Sequence, residues 1–140
     1  MFIFFDLMLA KKYHLVSKDV NYLTKKRQYF IKGNYSFFYV LQYPNKMFHQ
    51  FSFHVTIKMS KSAVWRNFVR RVVMKYLQDY SFQKIAIDGS YYKVFINLNK
   101  NTLTFLQQLI QQKDKKKIRE WIIKEFQFSF NSFQTYLCKK

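Results

Sequence analysis

Between Lys58 and Lys75 the chain brings together residue types suited to holding phosphate: Lys58, Ser60, Lys61 and Ser62, then Arg66, Asn67, Arg70, Arg71 and Lys75. Set on a helix at about 100° per residue, Val64, Trp65, Phe68, Val69, Val72, Val73 and Tyr76 gather on one arc. Ala63, Arg66, Asn67, Arg70, Arg71 and Met74 take the opposite arc. A solvated helix face normally mixes acids with bases, because opposite charges at i,i+4 stabilise by roughly 0.2–0.5 kcal/mol per pair and like charges cost a similar amount. Arg66 and Arg70 stand at that spacing with no acid in the segment. The pattern predicts a helix with one core face and one cationic face that needs a polyanion. The backbone amides at its start, with Ser60, Lys61 and Ser62, favour phosphate further.

Other chemistries find no residues to carry them. His14, His49 and His54 have no cysteine or carboxylate at metal-ligand spacing, and His54, on a polar strand face, reads as a solvated or hydrogen-bonded side chain. There is no glycine-rich phosphate loop, no nucleophile elbow and no clustered carboxylate pair. One cysteine, Cys138, excludes an intrachain disulfide. The 25 Lys and Arg against 7 Asp and Glu give a net charge of +18, and the distribution is uneven. Between Val20 and Gln78 lie eleven basic residues and no acid. Such a field steers the chain to nucleic acid first and to an anionic membrane surface second. A content of 49% hydrophobic and 21% aromatic residues argues against a disordered basic tail.

The elements that must position the motif follow from patterning. At 140 residues the chain is expected to form one RNA-binding domain, 1–140, in which 1–14 and 127–140 are extensions without an assigned role. The apolar stretch Met1 to Ala10 lacks a basic n-region, carries Asp6 and is too short to span a bilayer, so it reads as a segment docked on the core. Ser17 is the expected N-cap of a helix to Lys26, with Val20, Leu23 and Thr24 inward. Gln28 to Lys32 and Tyr35 to Tyr43 form a hairpin about Gly33-Asn34. Tyr35, Phe37, Tyr39, Leu41 and Tyr43 share one side, and Ser36, Phe38, Val40 and Gln42 the other. Two readings of the aromatic row compete: half-buried packing residues, or a platform on which unpaired bases stack.

Gln50 to Lys58 alternates again, with Phe51, Phe53, Val55 and Ile57 against Ser52, His54, Thr56 and Lys58. After the motif helix come a connection at Asp79 to Gly89, a strand at Tyr91 to Leu98, a helix capped by Thr102 and a last helix from Ile118 to Phe126. The Lys113 to Lys117 run between those helices is either a solvated loop or a secondary phosphate contact. This order predicts an α+β domain, a mostly antiparallel four-stranded sheet with helices packed on one face.

The run Lys58-Met59-Ser60-Lys61-Ser62-Ala63-Val64, followed by Arg66-Asn67 and Arg70-Arg71, resembles the signature of the bacterial ribonuclease P protein subunit. Phe68 stands where that family usually has a third basic residue, and Met74 where a further arginine is common. The resemblance covers about Leu15 to Ile110 and implies a ribonuclease P protein-like fold with a left-handed βαβ crossover, against a general preference of about 98% for right-handed connections. It implies the protein component of an endoribonuclease whose RNA subunit performs the chemistry of tRNA 5′-leader removal. Lys58, Lys61, Arg66, Asn67, Arg70 and Arg71 would contact the RNA, and Tyr39, Phe37 and Thr56 the precursor leader. The family's leader-binding aromatics on the first helix match Val20 and Thr24 here, so no leader role is carried onto that helix.

The same resemblance implies ribonuclease P RNA and precursor tRNA as partners, and Mg2+ held mainly by the RNA with none bound by the protein alone. It also implies a cytoplasmic location, with no stable membrane association and no required protein partner. The alternative is a non-catalytic RNA-binding protein such as a small ribosomal protein, which explains charge and aromatics but not the Ala-Val-x-Arg-Asn spacing. A membrane-surface protein is a third class.

Overall fold

Gly33, at φ 59°, makes the left-handed turn that folds strand β1 (Tyr29–Lys32) onto β2 (Tyr35–Leu41), and the remaining strands assemble from β2 outward. The computed structural model describes residues 11–55 and 60–139. Its other elements are α1 (Ser17–Lys26), β3 (Gln50–His54), α2 (Ala63–Asp79), β4 (Tyr92–Leu98), α3 (Lys100–Gln111) and α4 (Lys115–Lys139). The sheet order is β1-β2-β4-β3. β2 pairs antiparallel with β1 and β4, whereas β3 runs parallel to β4 with Phe51 opposite Val94 and Phe53 opposite Ile96. The domain is therefore α+β with a mixed sheet. A parallel pair needs a long crossover, and α2 lies within it.

Helices cover both faces of the sheet, which corrects the expectation of helices on one face. Tyr35, Phe37, Tyr39, Phe51, Phe53, Val94 and Ile96 share one core cluster with α2 and α4. Leu15, Leu23, Val40 and Phe95 form a second, smaller cluster beneath α1, with Val20 and Phe38 at its margin. The period-2 alternation of β2 feeds both. Tyr35, Phe37 and Tyr39 go to the larger core, Phe38 and Val40 to the cluster beneath α1, and Leu41 is exposed.

The larger core depends on the segment expected to be an extension. α4 is a single helix of 25 residues, and beyond Phe126 it buries Ser129, Phe130, Phe133 and Leu137. Phe133 stacks on Phe37 at 4.6 Å, Phe30 stacks on Tyr136 at 4.6 Å, and the Tyr39 hydroxyl donates to that of Tyr136 at 3.0 Å. Ser129 Oγ donates to the Lys32 carbonyl at 2.8 Å, fixing the helix to the hairpin. Tyr35 donates to the Ile122 carbonyl at 3.4 Å. Burial, and secondarily the nearby Glu125, push that phenol well above its ordinary pKa, so it remains a neutral donor.

Two helix starts also differ from expectation. Ser17 is the first residue of α1 and Val16 occupies the N-cap without a side-chain bond. α3 begins at Lys100, with Asn99 rather than Thr102 at the cap position. Asn99 Nδ2 instead donates to the Gly33 carbonyl at 2.8 Å, and the side chain accepts from Ser36 Oγ.

One ion pair holds α1 on the sheet. Lys93 Nζ lies 3.1 Å from Asp19 Oδ1, with side-chain exposures of 8% and 22%. Removing one partner of a buried pair typically costs roughly 3–5 kcal/mol because the other charge is stranded. Here the Tyr43 ring still faces Lys93 Nζ at 4.2 Å. Asp19→Ala is thus expected to lower unfolding free energy by about 2–3 kcal/mol, and adding Lys93→Met to recover most of it. Denaturant titration of the single and double variants checks this.

His49 is pinned by backbone alone. Its Nδ1 accepts from the Tyr92 N–H at 2.9 Å, which fixes the proton on Nε2, and Nε2–H donates to the Ile85 carbonyl at 2.6 Å. Desolvation holds its pKa below the ordinary 6.5 despite the bond to the Ile85 carbonyl. The unfolded chain then takes up the proton first as pH falls, so stability is full above about pH 6.5 and declines below it. A melting temperature that falls between about pH 6.5 and 5, before most carboxylates titrate, is the expected result, with a shallower fall for His49→Gln. No helix among the described residues is long and apolar enough to cross a membrane.

Candidate nucleic-acid interface

α2 forms where the sequence places it, and its cap is local. Ser62 lies in the extended region and its Oγ accepts from the Trp65 N–H at 3.4 Å, while Ser60 Oγ accepts from the Ser62 N–H at 3.2 Å. Val69, Val72, Val73, Tyr76 and Leu77 are buried, as the apolar arc requires. Four positions depart from the arcs. Val64, in the first turn and ahead of the first buried residue, is 64% exposed; Trp65 and Phe68 are half-buried; Met74, expected on the cationic arc, is 2% exposed. Met74 borders a groove between α2 and the sheet, so the boundary of the packed face is rotated toward it.

The cationic residues come together on the opposite surface. Arg66 Nη1 donates to the Ser60 carbonyl at 2.8 Å and so folds back over the turn that starts the helix. Asn67 organises the next turn: its Oδ1 accepts from Arg70 Nη2 and its carbonyl accepts from Arg71 Nε at 3.3 Å. Lys61 is exposed at the bend before the helix. Among the described residues the salt bridges are Lys75 with Asp79, at 3.0 Å, and Lys93 with Asp19. Neither involves Arg66, Arg70 or Arg71, whose guanidiniums meet only neutral protein oxygens at the bonds given above. Lys58 and Thr56 lie outside the described residues.

Phe37 and Tyr39 do not form an open platform. Both are buried, at 0% and 1% exposure, and their ring faces and edges are taken by Phe133, Tyr136 and neighbouring rings of α4. Tyr35, Phe37 and Tyr39 are packing residues covered by α4, whereas Leu41 and Tyr43 at the end of the row are exposed. On the other side of the sheet α1 covers Val40 and Phe95 but leaves Ser52 and His54 of the edge strand β3 accessible. Between α1, the polar face of β3 and α2 runs a groove of about 600 Å³ whose wall residues include Asn21, Thr24, Ser52, His54, Arg70 and Arg71. Phe95 lies against the exposed His54 ring at 6.3 Å. Two guanidiniums thus share the groove with small polar groups and two imidazoles, His14 and His54, an arrangement able to take a phosphate chain with a base lying flat.

The sequence places Ser52 and His54 on the polar row of β3, with His54 read as a solvated or hydrogen-bonded side chain, and gives Phe95 no role. The signal that could have drawn Ser52 and His54 into the site is that row, which leads from them toward Thr56 and Lys58. No family model matches the chain, and no curated protein matches it, so its relatives do not assign a role to this interface.

Proposed function

We propose that this chain is the protein component of a ribonuclease P: it binds the catalytic RNA through α2 and receives the 5′ leader of precursor tRNA in the adjoining groove. The observation that carries the proposal is the Arg66, Asn67, Arg70, Arg71 surface, which no carboxylate among the described residues neutralises and whose Arg70 and Arg71 line that groove. Structured RNA is gripped mainly through phosphate and 2′-OH, for which arginine forks are suited. The leader runs past Arg70 and Arg71 toward Ser52, His54 and Phe95, not over Phe37 and Tyr39. The RNA partner carries the chemistry and most of the Mg2+. A left-handed course for the β3-α2-β4 crossover and a cytoplasmic location belong to the same reading.

Reconstitution tests it. Added to a ribonuclease P RNA, the purified chain should raise precursor cleavage at low magnesium severalfold, an effect not expected of a small ribosomal protein. No stimulation, with the RNA bound, would sink the assignment in favour of a non-catalytic RNA-binding role.

A further inference from the structure

Across α2 from the groove lies a second concavity, of about 650 Å³, between α2 and the first turns of α4. Its chemistry is unusual for a surface hollow. Phe68, Tyr76 and Tyr80 line it, with Tyr76 packed against Tyr80 at 5.0 Å between centroids. Around these rings stand Arg71, Lys75, Lys115 and Arg119. The one acid among the lining residues, Asp79, already pairs with Lys75 at 3.0 Å. Lys115 Nζ and Arg119 Cζ both lie over the Phe68 ring, at 5.8 and 5.7 Å. Two like charges one helical turn apart on a single ring repel each other unless an anion joins them.

We propose that this pocket receives one unstacked nucleotide of the RNA partner, its base against Phe68 and Tyr80 and its phosphates between Arg71, Lys115 and Arg119. The volume falls within the usual range of small-ligand sites, roughly 300–1,000 Å³. Aromatic faces with a cationic rim fit a planar base joined to a phosphate, the combination by which single-stranded RNA is held. Arg71 borders both this pocket and the groove, so an RNA strand lying on α2 can reach either side of the helix. The Lys113 to Lys117 run is then more than a solvated loop, because its Lys115 completes the rim.

The proposal rests on RNA being the partner of α2, and its test separates the two claims. Affinity of the full chain for ribonuclease P RNA is measured at several salt concentrations. Lys115→Ala with Arg119→Ala is expected to weaken binding about tenfold or more and to make the log-log salt dependence shallower by about 1–2, as about one ion is released for each phosphate neutralised. Phe68→Leu, which keeps an apolar side chain, is expected to weaken binding at least about fivefold with the salt dependence unchanged, because a stack is not ionic. Lys116→Ala with Lys117→Ala, exposed and outside the pocket lining, controls for the general field. If the Lys115/Arg119 pair loses no more than this control and Phe68→Leu binds like the parent chain, the pocket is not a nucleotide site, whatever α2 does. If the parent chain itself fails to bind the RNA, the functional reading falls and the pocket proposal with it.

Discussion

Phe133→Ala is expected to lower unfolding free energy by roughly 3–5 kcal/mol, the usual loss when a large buried aromatic is truncated and its cavity only partly closes. Phe133 is wholly buried, stacks on Phe37 at 4.6 Å and meets Tyr39 edge-on at 5.5 Å. Against a total of about 5–15 kcal/mol for a domain, that loss is a large fraction of the stability. A chain ending at Phe126 should fare worse, because it uncovers Phe37 and Tyr39 together and removes Phe130 and Leu137. Denaturant titration decides the point, with Tyr22→Ala, at a 55% exposed ring, as a comparison expected within about 0.5 kcal/mol of the parent chain. A Phe133→Ala loss below about 1 kcal/mol would mean that α4 is not docked on the sheet, and the open-platform reading of β2 would return.

Arg66→Ala combined with Arg70→Ala is expected to reduce affinity for ribonuclease P RNA about a hundredfold at physiological salt. Each charge-assisted bond to phosphate contributes roughly 1.5–3 kcal/mol, and about 2.8 kcal/mol corresponds to a hundredfold change. The fold should not suffer. Neither side chain pairs with a carboxylate among the described residues, Arg70 is exposed, and removing a like-charge pair at i,i+4 relieves a few tenths of a kcal/mol. The variant should therefore melt within a few degrees of the parent while binding poorly, as circular dichroism and filter binding on the same preparation would reveal. A drop in melting temperature large enough to explain the weaker binding would show that Arg66 serves the helix start through Ser60 rather than the RNA.

Local periodicity made the strands and α2 legible, because alternation and the apolar arc each specify a face. The parallel pairing of β3 with β4 was implied by the resemblance through its βαβ crossover, and the structure contains it. What alternation cannot say is which helix covers which side of the sheet. Both rows of β2 carry aromatics, so Phe37 and Phe38 look equally fit for core or surface until α4 is placed. The stripe that places it was present: Phe126, Phe130, Phe133 and Leu137 recur at helical spacing, with Ser129 the small residue that lets α4 approach Gly33. It was obscured by Phe128 on the opposite side and by the resemblance ending before it. α1 was harder, since Leu23 is its one fully buried residue and its hold on the sheet comes from Asp19 and Lys93, a pairing 74 residues apart that no local pattern announces.

The arginine surface matters only if it meets phosphates, and the salt dependence of RNA binding reports how many it meets. Affinity of the parent chain for ribonuclease P RNA, followed between about 50 and 300 mM salt, should fall steeply on a log-log plot. The Arg66→Ala, Arg70→Ala variant should give a line shallower by about 2, one unit for each phosphate left without its arginine. Two parallel lines, or a parent line that is flat, would contradict a phosphate-gripping role for α2.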